Sequence, residues 1–200
     1  MDSGKGGRLS VTSGMIIKTM EETQAMDDKN QESLDGLREA MNLEVEGMNF
    51  FQRASELTRD PKGKDTFLRL VKVELGHYKI LEAEYNSLRQ TGRWLSYQEV
   101  QQAWMKKGDI SDIFAQEGFL KQLQDDTTDL EAIKMAIELE KKAGKHFQEA
   151  ARRAQDPLAV EVFQKLAEEE EKHLKLFEAE YDYVSRSGFY FDDREFSTEY

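Results

Sequence analysis

Two Asp-Pro pairs, Asp60-Pro61 and Asp156-Pro157, stand 96 residues apart, and sliding the chain over itself by that distance pairs residues 37–88 with 133–184 without a gap. Of the 52 paired positions, 17 are identical, which marks a structural unit used twice. Phe51-Gln52 falls on Phe147-Gln148, and Glu82-Ala83-Glu84-Tyr85 on Glu178-Ala179-Glu180-Tyr181. Within each unit an apolar stripe recurs at steps of three and four, the seam of a helix packed in a bundle. Leu37, Met41, Met48, Phe51 and Ser55 mark it in the first helix.

Proline is at home in the first helical turn and disfavours helix at the residue before it, so each Asp-Pro ends one helix and opens the next. Each unit is therefore a helical hairpin. The second opens with Thr128-Asp129-Leu130-Glu131, a Thr-x-x-Glu capping box. The patterns predict helices over about 34–59, 62–90, 129–154 and 158–187. Two prolines in 200 residues, and long stretches of Glu, Lys, Leu, Ala, Gln and Arg, agree with an all-α chain. The expected organisation is a mobile arm without helical period over residues 1–32, one bundle over 33–188, and a tail over 189–200. Residues 89–128 form a crossover between the hairpins. With Trp94, Trp104, Phe114 and Phe119 it is too apolar for a free linker, and short helices are predicted near 97–107 and 110–123. The tail opens with Gly188-Phe189-Tyr190-Phe191, aromatic enough to dock.

A net charge of −12 argues against a nucleic-acid partner, whose phosphates draw on clustered Lys and Arg. No cysteine is present, so thiolate metal sites, iron–sulfur clusters and cysteine nucleophiles are excluded within this sequence, and any metal must use oxygen and nitrogen ligands. No apolar run approaches the roughly 20 residues needed to span a bilayer, nor is there a secretory signal. No membrane partner and a cytoplasmic location are expected.

The seam is interrupted by polar residues at the same place in both units. The first helix reads 37, 41, 44, 48, 51 and puts Glu44 inward; the third reads 133, 137, 140, 144, 147 and puts Glu140 there. The second reads Phe67, Leu70, Glu74, His77, Leu81 and the fourth Phe163, Leu166, Glu170, His173, Phe177, so both turn Glu-x-x-His inward. A buried, unpaired carboxylate costs several kcal/mol or takes up a proton. No seam Arg or Lys is placed to compensate, whereas four carboxylates balance two divalent cations and two imidazoles complete the shells. Residues three apart share a helical face, so each Glu-x-x-His can grip one ion. One Glu from each of two helices plus Glu-x-x-His from each of the others is the known ligand pattern of di-iron and di-manganese bundles.

On these motifs the chain, over about residues 34–187, resembles the rubrerythrin-like branch of the ferritin-like superfamily. The resemblance implies a ferritin-like four-helix bundle of two repeated hairpins joined by a long crossover. It also implies the metal ligands Glu44, Glu74, His77, Glu140, Glu170 and His173, with Glu74 and Glu170 bridging the two metals. Two features depart from the family pattern. There is no Cys-ligated rubredoxin-type domain in this sequence, and Ala143, one turn after Glu140, stands where peroxide-reducing rubrerythrins usually carry a further glutamate; its repeat partner is Gly47.

The implied function is an oxidoreductase that reduces peroxide or O2 at a pair of irons, with manganese or zinc as other metals that the donors accept. The expected partners are metal ions, O2 or hydrogen peroxide, an external electron-donor protein and a second copy in a homodimer. The alternatives are iron binding or ferroxidase handling without an organic substrate, and a non-catalytic interaction bundle. His146, six residues after Glu140, is predicted on the surface. Of the run Glu168 to Glu171 only Glu170 falls in the inward register, and Lys141-Lys142 faces water. Tyr85 and Tyr181 are read chiefly as packing residues.

Overall fold

The computed structural model describes residues 8–104 and 123–191. Among them lie five helices and no strand: α1 (Arg8–Leu57), α2 (Pro61–Thr91), α3 (Tyr97–Trp104), α4 (Asp129–Arg153) and α5 (Pro157–Ser187). α1 packs on α2 and α4 on α5, while α3 lies against α2 and α5. This is the ferritin-like arrangement of two hairpins and a long crossover. The expected helix near 97–107 is α3, whereas that near 110–123 falls mostly outside the described residues, as does the tail beyond Phe191.

One boundary is corrected. α1 begins at Arg8, so the stretch read as an arm without helix is helical from there on. No proline interrupts residues 8–57, and extending a helix that is already nucleated fixes only one further residue for each bond gained. A weak apolar period therefore hid this segment.

Local chemistry sets the other ends. Asp60 and Asp156 cap α2 and α5, accepting from Lys62 N at 2.8 Å and Leu158 N at 2.9 Å, with the prolines in the first turn. Thr128 and Glu131 close the capping box of α4. α2 and α5 both end on a glycine in the left-handed region, Gly92 (φ 68°) and Gly188 (φ 78°), again 96 residues apart; only glycine enters that region without strain.

Two apolar clusters fill the bundle. One gathers Phe50 and Phe51 of α1, Phe67 and Leu70 of α2, Ile133 and Ala136 of α4, and Phe177 and Val184 of α5. The other gathers Leu37 and Ala40, Leu81 and Leu88, Phe147, and Val162, Phe163 and Leu166. Because α1 and α5 run one way and α2 and α4 the other, the stretches between these groups, near residues 44, 74–77, 140 and 170–173, share one level. That level is the polar interruption of the seam.

The chain leaving each hairpin is fastened by a buried acid. Glu84 and Glu180, both 0% exposed, accept from Leu95 N (2.9 Å) and Phe191 N (3.3 Å). These anchors seat Trp94 edge-on against Phe163 and Tyr190 against Phe67, while Phe189 stays exposed. Burial pushes both carboxyls up to about 7. The folded chain therefore holds protons that the unfolded chain releases near pH 4.5, and the associated stability is lost as pH rises from about 4.5 through 7. Each acid contributes on the order of 2–3 kcal/mol to that loss. Thermal melts of chelator-treated protein at pH 5 and pH 8 should show a smaller drop in the E84Q/E180Q double variant than in the parent; equal drops would contradict it.

Gly63 lies under the Tyr190 ring, where an added Cβ would sit 2.4 Å from a ring carbon. G63A should therefore cost about 1–3 kcal/mol of overpacking in urea unfolding. By contrast G76A, with nothing within 4 Å of its Cβ, should stabilise by about 0.5–1 kcal/mol. A neutral G63A would show that the tail does not hold Tyr190 there.

Candidate metal centre

At the shared level the structure brings together all six seam residues. Glu44, Glu74, His77, Glu140 and Glu170 are each no more than 3% exposed, and the side chain of His173 is 12% exposed. Their ligand atoms form two overlapping groups, Glu44, Glu74, His77 and Glu170, and Glu74, Glu140, Glu170 and His173. Within each group the atoms lie within 4.8 Å of one another, as the donors around one cation must. Glu74 and Glu170 belong to both groups.

His77 Nδ1 lies 3.6 Å from Glu44 Oε2, 3.3 Å from Glu74 Oε2 and 2.8 Å from Glu170 Oε1. His173 Nδ1 lies 3.4 Å from Glu74 Oε1, 3.6 Å from Glu140 Oε2 and 3.2 Å from Glu170 Oε2. The imidazoles face each other, centroids 5.5 Å apart. Close as these atoms are, Oε1 of all four glutamates and Nδ1 of His77 are buried without a hydrogen bond. His173 Nδ1 and Glu170 Oε2, by contrast, are hydrogen-bonded at 3.2 Å. Among the described residues, the ion pairs of these carboxylates run to the two histidines and none to an arginine or lysine.

Electrostatics splits the carboxyls into two kinds. Burial, joined by the charge of Glu74, raises Glu44 well above the usual carboxylate range. Burial likewise raises Glu140, against the opposing hydrogen bond of His173. Burial also presses on Glu74, but its close contacts with His173 and His77 outweigh it and hold this carboxyl well below the usual value. Glu170 is lowered too, the contacts with both histidines overcoming burial and the charge of Glu74. Burial works against charging His77 and His173, yet the surrounding carboxylates raise both well above the ordinary imidazole value.

Gly47 and Ala143 flank a cavity of about 10 Å³ bounded by Glu44, Glu74, Glu140 and Glu170 together with Leu43, Phe51 and Leu139. It has room for about one water-sized molecule. Phe51, Phe67 and Phe177 stack on one another, with centroids 5.5–6.3 Å apart.

Other sequence readings fare unevenly. Lys141 and Lys142 are exposed as expected. His146 is half-buried rather than on the surface, edge-on to Phe147 with ring centroids 5.7 Å apart; a position flanking the seam is still covered by its neighbours. Tyr85 and Tyr181 are partly buried against the two apolar clusters, and Tyr85 Oη accepts from Arg38 at 3.1 Å. In the acidic run Glu170 is the buried member, but Glu169 is not merely solvated: its Oε2 meets His77 Nε2 at 3.2 Å. Its repeat partner is Val73, so the repeat offered no signal for it.

Bundle and cluster together define an all-α ferritin-like protein with a buried carboxylate and histidine group able to hold metal. A family model described as Rubrerythrin matches residues 35–181, and the chain belongs to the rubrerythrin family. Comparison with curated proteins and with solved structures gives no match. Among the described residues no helix is long and apolar enough to cross a membrane.

Proposed function

We propose that Glu44, Glu74, His77, Glu140, Glu170 and His173 hold two iron ions, and that this centre reduces hydrogen peroxide or O2 with electrons from a separate donor protein. The observation that carries the reading is the convergence of six buried ligand side chains, in which Oε1 of all four glutamates and Nδ1 of His77 have no hydrogen-bond partner. Four carboxylates and two neutral imidazoles match two divalent ions in charge and donor type. Bound iron supplies one-electron chemistry that the protein's own side chains lack.

The side chains supply the setting. Glu74 and Glu170 tie the two positions together, Glu44 and Glu140 complete one position each, and the histidines provide nitrogen donors from opposite hairpins. The apolar clusters on either side exclude water, and the cavity beside Gly47 and Ala143, bounded by the four glutamates, is small, about 10 Å³. That size favours O2 or peroxide over an organic substrate. An external donor suits a sequence without cysteine. The proposed setting is the cytoplasm, with the chain paired as a homodimer.

The test is to mix anaerobic ferrous protein with excess peroxide, or separately O2, in the presence of a reductant, and to follow oxidant consumption. Many equivalents consumed per chain are expected. A single stoichiometric oxidation would replace catalysis with iron handling.

A further inference from the structure

The six clustered residues obey the 96-residue offset, but a neighbour of theirs does not. Glu169 Oε2 approaches His77 at Nε2, while the other ring nitrogen, Nδ1, faces the cluster. The corresponding neighbour for His173 is Val73, which has no acceptor to offer. Glu169 is itself held: Tyr97, at the start of α3, donates its hydroxyl to Oε1 over 3.4 Å. α3 thus reaches the centre through Glu169.

A histidine that ligates a metal through one nitrogen is commonly held by a carboxylate on the other, which fixes its tautomer and strengthens it as a donor. Removing such a partner typically costs 10–100-fold in metal affinity. We propose that Glu169, acting through His77, makes the two metal positions inequivalent, so that the position bounded by Glu44, Glu74, His77 and Glu170 fills before that bounded by Glu74, Glu140, Glu170 and His173. The inference rests on the cluster binding two ions. Glu169 is a positioning residue: by accepting the Nε2 proton it keeps Nδ1 free for a cation. Duplication supplies two matching ligand sets, and the Glu-for-Val difference beside them breaks the match.

Cobalt(II) titration of the chelator-treated full chain, followed by ligand-field absorption, tests this. Two steps are expected, and since repulsion between two ions would separate them in any case, the variants decide. E169V, which gives position 169 the residue found at 73, should weaken the first step about 10–100-fold and merge it with the second. E169Q retains an oxygen that accepts from Nε2 and should keep most of the separation. V73E, which offers His173 the matching carboxylate, should tighten the second step, and it decides the matter if E169V does not fold. First and second steps unchanged in E169V and V73E would overturn the inference. A parent protein that takes up no cobalt would overturn the metal reading beneath it.

Discussion

Replacing Glu170 by alanine should cost the protein both metal ions, whereas replacing Glu140 should cost one. The difference follows from membership. Glu170 lies in both groups of converging donors, as does Glu74, while Glu44 and Glu140 each lie in one. Elemental analysis of iron-loaded, desalted protein should therefore fall from about two ions per chain to well under one in E74A and E170A. In E44A and E140A it should fall to about one. Circular dichroism separates lost binding from lost folding. Equal loss in all four variants would mean that the carboxylates act as a common pool of charge rather than as shared and unshared ligands.

Metal loading should release protons. Burial raises the carboxyls of Glu44 and Glu140, and the surrounding carboxylates raise both imidazoles, so these four groups hold protons to higher pH than free side chains do. Two divalent ions need four carboxylates and two neutral imidazoles, so each proton held by Glu44, Glu140, His77 or His173 competes with metal. Combined affinity should therefore fall as pH falls. Calorimetry in buffers of different ionisation enthalpy counts the protons, and chelator competition at pH 6.5 and 7.5 measures the slope. Loading without proton release would show that all six groups are already deprotonated.

Much of this was legible in the sequence because it was written twice. The Asp-Pro pairs and the seam register located three helices, and the end of the first, to within a few residues, and the polar break in both seams named all six clustered residues. Glu84 and Glu180 were equally legible, since the steps 77, 81, 84 and 173, 177, 180 carry the seam straight to them; following the register one step further would have placed them inside. What the repeat could not show is where the halves differ. Glu169 faces Val73 across the alignment, and its contact with His77 depends on how α5 packs against α2. The helix from Arg8 was missed for another reason: an apolar period reports packing, whereas helix requires only residues that tolerate it.

The most direct test of the account is the anomalous scattering of iron in crystals of the iron-loaded protein, recorded on both sides of its absorption edge. The account expects two peaks between the hairpins, each within bonding distance of one histidine and both touching Glu74 and Glu170. A loaded crystal with no peak there, or with these six side chains turned toward solvent, would contradict it.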